Sequence, residues 1–308
     1  MQASSTMSTS TPTHPDLIPA DVRARLGTLR LAMRQPAAVQ GYGVHHSRSR
    51  GAGLEFAQYR AYEPGDSLRQ VDWKLYARSD RFFVREAERD SPLTAWLLLD
   101  ASASMAQCDA ARPGWSRLDA AKALAACTIE LALRQGDRFG VIAAGGSGLH
   151  ALPAGGGARH RDRCVLELQR LSASGAWPGQ RLRPLWEGIH AGTLVIMLSD
   201  CFDDAVVALA ERLAAARREV VVVQLLTAEE RDFPFRGGHR FRDPETGDEV
   251  LGDGAAVRDG FIERFTAARA ALARRFAASG IRHVEHVLDQ PLDAPLRALF
   301  GAHRGAGA

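Results

Sequence analysis

The sequence predicts an α/β protein, a doubly wound and mostly parallel sheet preceded by a small β-containing subdomain. Three features lead there. From Thr94 onward, short apolar runs alternate with longer amphipathic stretches. Runs such as Val220–Val223 are apolar without a break, as strands covered on both faces are. Two runs, Leu97–Asp100 and Val195–Asp200, end in an acid, and ligands of such sheets bind beyond the carboxyl ends of the strands.

The elements follow in order. Residues 1–15, rich in Ser and Thr, read as a disordered tail. Residues 16–93 are expected to form the N-terminal helix and the small subdomain. Leu17, Ile18, Val22, Leu26, Leu29 and Met33 recur at helical spacing and predict one amphipathic helix over 17–35. The glycine-rich stretch from Gly41 to Ser91 carries β-prone pieces at Glu55–Arg60 and Arg81–Glu86. Residues 94–302 then predict strands at Ala95–Leu99, Arg138–Ala144, Leu149–Pro153, Leu194–Leu198, Glu219–Leu226 and His283–Leu288. Helices are expected at Leu118–Arg134, Arg161–Leu171, Asp204–Arg217, Val257–Ala278 and Leu292–Phe300. Within this domain, residues 237–253 read as an inserted hairpin around the turn-forming Asp243-Pro-Glu-Thr-Gly-Asp248. Residues 303–308 form a second tail.

Composition narrows the function. The 308 residues are 46% hydrophobic, yet their apolar runs fall far short of the roughly 18–20 residues of a membrane helix. The N-terminus has neither the basic start nor the apolar centre of a secretory signal, so a cytoplasmic location is expected. Cys108, Cys127, Cys164 and Cys201 lie far apart and are expected to pack as small apolar groups. The net charge is only +3, and arginines interleave with acids, as in Arg81–Asp90. No electrostatic footprint for nucleic acid results. Gly145–Gly148 and Gly155–Gly157 lack the Gly-Lys-Ser/Thr ending of a phosphate loop and read as turns.

After its first apolar run the chain continues Asp100-Ala-Ser102-Ala-Ser104. One carboxylate and two hydroxyls on a tight turn are hard oxygen donors of the kind Mg²⁺ takes, and Asp200 would add a second carboxylate. Alone, the motif favours a helix cap formed by Asp100 and Ser102; its place after an apolar run, with a second run ending in Ser-Asp, favours a site. Residues 94–290 resemble a von Willebrand factor A domain, whose metal-ion-dependent adhesion site begins Asp-x-Ser-x-Ser. The resemblance implies that Ser102 and Ser104 ligate Mg²⁺ or Mn²⁺ directly, while Asp100 and Asp200 act mostly through water. That family also uses a loop Thr. Here no Thr occurs between Thr128 and Thr193, which leaves Gln180 or Ser174 as the candidate loop ligand, or that corner vacant.

Ahead of this domain, Glu63-Pro-Gly-Asp66 has type II turn chemistry, with Asp66 placed to cap a short helix carrying Leu68, Val71 and Leu75. Arg60, Arg69 and Arg78 are placed to pair with Asp66 and Asp72, as a structural cluster or a docking surface. The ordered run Gly53-Leu-Glu-Phe, Arg60-x-Tyr62-x-x-Gly65-Asp66, Arg69-x-x-Asp72-Trp73 and Ala77-Arg78 is similar to the signature of the bacterial domain-of-unknown-function family 58. Ser67 stands where many relatives have a second Asp. The match spans about residues 40–300. It implies association with MoxR-type AAA+ ATPases as an adaptor in protein maturation or metal-centre assembly.

The expected function is thus a non-enzymatic interaction module. A metal-independent scaffold working through Arg60–Arg78 is the first alternative, and a metal-assisted hydrolase using Asp100 and Asp200 the second. The hydrolase lacks an evident base, because His150 and His160 fall at no predicted carboxyl strand end and read as solvated loop residues.

Overall fold

The computed structural model describes residues 16–33, 56–62, 71–87, 92–110, 112–146, 148–179 and 188–301. Of the predicted site residues, Asp66, Arg69 and Gln180 lie outside these, as do both expected tails. The chain divides into two compact units, one formed by residues 1–34 with 93–308 and the other by 35–92.

In the smaller unit, β1 (Phe56–Ala61) and β2 (Phe83–Ala87) pair antiparallel, close to where β-prone pieces are predicted. Helix Trp73–Ser79 is capped by Asp72, whose side chain accepts from the amides of Lys74 and Leu75 at 3.0 Å. The expected cap Asp66, with Leu68 of the helix it would open, lies outside the described residues. Val71, expected on that helix, is instead buried and bridged to Val84.

The larger unit is built on β3 (Thr94–Asp100), β4 (Cys108–Asp109), β5 (Arg112–Ser116), β6 (Arg138–Gly145), β7 (Gly148–Gly155), β8 (Leu194–Ser199), β9 (Glu219–Leu226), β10 (Gly238–Arg242), β11 (Glu249–Asp253) and β12 (Arg282–Val287). Six of them form one sheet in the order β12-β9-β8-β3-β6-β7, parallel except for β7 at its edge. The alternation within β3 shows why it sits centrally. Ala95, Leu97 and Leu99 enter the core on one face, and Trp96 and Leu98 enter the core on the other. Each such leucine contributes about 1.5–3 kcal/mol by burial.

Helix Arg117–Gln135 covers the first face. It starts with a reciprocal Ser116–Asp119 capping box and stops at Gly136, which takes the left-handed φ of 76°. Helix Asp204–Ala215 and the end of helix Gly254–Ala278, through Phe276, cover the second face. The N-terminal segment corrects the expected helix over 17–35. Among its described residues it is helical only at Ala20–Arg25, with a 3₁₀ turn at Leu26–Thr28. Beyond it, Gln135 of the long helix meets both backbone groups of Leu31, accepting its N–H at 2.7 Å and donating to its carbonyl at 3.0 Å. This side chain replaces the helical hydrogen bonds. Ile18, Val22, Leu26, Leu29 and Leu31 join the large core, so 16–33 belongs with the sheet and not with the small subdomain.

Candidate functional site

Beyond Asp100 the chain leaves the sheet through a 3₁₀ turn, Ala103–Ala106, anchored by the buried Met105. Asp100, Ser102, Ser104, Ser199 and Asp200 are all buried. Asp100 organises them. Its Oδ1 accepts the Ser102 amide at 2.9 Å and the Ser102 hydroxyl at 2.6 Å. Its Oδ2 accepts the Ser199 hydroxyl, from the end of β8, at 2.7 Å. The Ser102 and Ser104 hydroxyls stand 3.1 Å apart. The structure thus brings together Asp100, Ser102, Ser104 and Asp200 from two adjacent parallel strands, as the sequence predicts. The capping alternative fails in its detail, since Ser102 precedes the 3₁₀ turn without a side-chain cap bond.

Asp200 holds a different partner. Its Oδ2 accepts from Arg117 Nη1 at 2.9 Å, and its Oδ1 accepts the Phe202 amide at 3.2 Å. The buried Arg117 also donates to the Ser104 carbonyl at 3.0 Å and pairs with Glu230, while its guanidinium lies 5.1 Å from the centre of the Phe202 ring. Glu230 in turn closes the capping box of helix Ala228–Asp232 with Thr227. Arg117 opens helix Arg117–Gln135, and nothing local in the sequence marks it as a member of this network. Burial, then the charge of Asp200, push the Asp100 carboxyl up to about 6, against the hydrogen bonds from Ser102 and Ser199 that favour its ionised form.

The segment Ser172–Gly179 meets the site through its backbone. Ser174 donates to the Ala101 carbonyl at 3.0 Å, Gly175 accepts from Ala103 at 2.7 Å, and Gly146 donates to the Ser174 carbonyl at 2.5 Å. A side chain at Gly146 would place its Cβ 2.5 Å from Gly175 Cα, so two glycines are what let this loop close on the motif.

A third acid arrives from the inserted hairpin. Glu245 lines the same cavity as Ser104, and burial raises its pKa, with the charges of Asp200 and Asp203 adding to the effect. The sequence marks this stretch only as a turn. A cavity of about 1020 Å³ lies between hairpin and sheet, lined by Ser104, Arg117, Phe202, Phe261, Phe265 and Glu245 among others.

The donor chemistry suits a hard divalent cation. The Ser102 O–H donates to Asp100, which leaves that oxygen's lone pairs for an ion. Among the described residues no group of three or more His, Cys, Asp or Glu side chains is arranged for metal binding, so such a site would rest on hydroxyls with the two aspartates around them. His160 corrects the expectation of a solvated loop residue. It lies in helix Ala158–Arg170, with Nε2 at 2.8 Å from the Phe139 carbonyl. Cys127, Cys164 and Cys201 are buried and free, while Cys108 is half-buried.

A doubly wound, mostly parallel sheet with Asp-x-Ser-x-Ser at the end of a central strand is the arrangement that the resemblance to a von Willebrand factor A domain implies. Residues 58–271 match the family described as "Protein of unknown function DUF58", and the chain belongs to that family. Uncharacterized protein Rv1480 of Mycobacterium tuberculosis is 27% identical over 270 residues, covering 86% of this chain and 84% of that one, and uncharacterized protein Mb1516 of Mycobacterium bovis matches equally. Among solved structures, the conserved hypothetical protein BatB from Bacteroides thetaiotaomicron is 17% identical, with a TM-score of 0.43, over 67% of this chain and 95% of that one. The SpRpn10 VWA domain is 12% identical, with a TM-score of 0.40, over 71% of this chain and all (100%) of that one. Among the described residues no helix is long and apolar enough to cross a membrane.

Proposed function

We propose that the chain is a non-enzymatic interaction module, an adaptor working with a MoxR-type AAA+ ATPase in protein maturation or complex assembly. The contact runs through Mg²⁺ or Mn²⁺ at Ser102 and Ser104, with Asp100 and Asp200 holding the surrounding charge. The bound ion supplies a positive centre able to take a carboxylate from the partner. One observation carries this reading: Asp100 ties the Ser102 hydroxyl at 2.6 Å and the Ser199 hydroxyl at 2.7 Å, so that two strand ends form one buried oxygen cluster. No nucleic acid is required, and the module works in the cytoplasm. The imidazole of His160 is engaged with the Phe139 carbonyl, which weighs against a hydrolase that would use it as a base.

The test is capture of a MoxR-type ATPase from the native host, with Mg²⁺ and with chelator. Wild type is expected to capture it only with metal, and the Asp100→Ala, Ser102→Ala double variant not at all; equal capture by both proteins rejects the metal-bridged contact. A metal-independent scaffold is the second reading, favoured by the aromatic group on the smaller unit. There Trp73 is 54% exposed and Phe82 44% exposed, and Tyr76 stacks on Phe82 at 4.3 Å. Arg60, Tyr62, Asp66, Arg69, Asp72 and Arg78 flank it in sequence. Capture that persists in chelator but is lost in Trp73→Ala selects this surface.

A further inference from the structure

Helix Gly254–Ala278 is 25 residues long, yet it buries only Gly254 and Phe276. Its first half carries Phe261 and Phe265, both half-buried, with their rings stacked 5.4 Å apart. Phe233 meets Phe261 at 4.5 Å and Phe241, on the inserted hairpin, at 5.8 Å. On the other side the exposed Phe202 meets Phe265 at 6.4 Å. These rings form a continuous row that lines the cavity of about 1020 Å³ instead of filling it. Protein interiors pack as densely as organic crystals, so a void of this size walled by aromatic rings has the form of a binding pocket.

The rim of the pocket carries an excess of one charge. Asp203, Asp204, Glu229, Glu230, Asp243 and Glu245 line it against Arg117, Arg240 and Arg242. Arg117 is engaged by Asp200 and Glu230, Arg240 by Glu249 at 3.4 Å, and Asp204 by Arg275 at 3.1 Å. Among the described residues no salt bridge reaches Asp203, Glu229, Asp243 or Glu245, which leaves four carboxylates against Arg242. The same wall holds an unmet donor, since Arg117 Nε, in a side chain 2% exposed, has no hydrogen-bond partner among the described residues.

Two of the chain's own arginines show what such a surface recognises. The Arg269 guanidinium lies 5.7 Å from the centre of the Phe265 ring and donates to Glu285 at 2.8 Å. Arg117 likewise combines the Phe202 ring with Asp200. A planar guanidinium gains from both neighbours at once, from the negative face of the ring and from charge-assisted bonds to the acid.

We propose that this cavity is the pocket for an arginine side chain of a partner protein. The guanidinium stacks on the row of phenylalanines and takes the unpaired carboxylates of the rim, and a backbone carbonyl beside it supplies the acceptor that Arg117 Nε lacks. Lysine serves less well, because its compact and strongly hydrated ammonium neither stacks on a ring nor pairs in bidentate fashion. The pocket goes beyond the metal-bridged contact: it uses neither Asp100 nor Ser102 and needs no metal.

Ligand-observed NMR on the full chain in chelator tests it with acetyl-Gly-Arg-Gly-amide and the lysine and citrulline counterparts. Citrulline keeps the shape and the carbonyls of arginine without the charge. The arginine peptide is expected to bind at least about tenfold more tightly than the citrulline peptide and about threefold more tightly than the lysine peptide. Raising the salt from about 50 mM to about 500 mM should weaken it severalfold. Phe265→Leu is expected to weaken it about tenfold, and the isosteric Glu229→Gln, on a carboxylate with no ion pair to lose among the described residues, about threefold. The comparison of peptides on wild type needs no variant to fold. Arginine binding no tighter than that of citrulline or lysine, no arginine binding at about 5 mM, or binding unmoved by both substitutions overturns the proposal. Arginine binding in chelator with no Mg²⁺-dependent capture of the ATPase keeps the pocket and removes the metal contact; the opposite pair of results does the reverse.

Discussion

Replacing Asp100 by Asn tests the electrostatics of the site with one atom changed. The Asp100 carboxyl is raised from 3.8 to about 6, so the stability it lends is present at low pH and lost as pH rises through about 6. At about 1.36 kcal/mol per pH unit, carrying it ionised costs the metal-free fold about 3 kcal/mol at pH 8. Asn removes that cost. It still accepts from Ser102, but the Ser199 hydroxyl loses its acceptor, a loss of about 1 kcal/mol. The net gain of about 1–2 kcal/mol should raise Tm by about 3–6 °C for a chain of this size. Thermal unfolding in chelator at pH 8 and pH 5 measures it. Asp100→Asn is expected to be the more stable protein at pH 8, with the margin shrinking or reversing at pH 5, where wild type is largely protonated. Added Mg²⁺ should stabilise wild type and not the variant. A margin that is absent at pH 8, or unchanged at pH 5, would refute the claim that burial and Asp200 load this carboxylate.

Arg117→Met leaves Asp200 and Glu230 without their shared guanidinium, and urea denaturation should show a loss of about 3–5 kcal/mol. Combining it with Asp200→Asn should cost less than the sum of the two single changes, because the anion stranded by the first is absent in the second. Gly146→Ala places a Cβ 2.5 Å from Gly175 Cα and 2.6 Å from the Ser174 carbonyl oxygen, both backbone atoms. The loop must give way, at about 1–3 kcal/mol in the same assay. Amide exchange should rise at residues 101–104, whose backbone is bonded to that loop.

Patterns confined to neighbouring residues were legible. Val220–Val223 fits a strand covered on both faces, and it lies in β9, between β8 and β12. Asp100 and Asp200 were legible as a pair because each follows an apolar run, and parallel strands side by side bring their carboxyl ends together. The hairpin around Asp243–Asp248 was legible from its turn residues. The N-terminal helix misled because helical spacing records only that one side is apolar; Gln135, more than a hundred positions away, completes the backbone of Leu31 and lets the chain run extended. The short hairpin of β4 and β5 and helix Ala228–Asp232 carry too few residues to show a period.

Spacing along the chain therefore settled the sheet, its helices and the four oxygen-bearing residues at its rim, since hydrophobic burial and backbone hydrogen bonding act through local repeats. Folding alone settled that Arg117 neutralises Asp200 and that Glu245 lines the same cavity as Ser104. Those encounters join residues 83 positions apart in the first case and over a hundred apart in the second, and a meeting at such separations leaves no period to read.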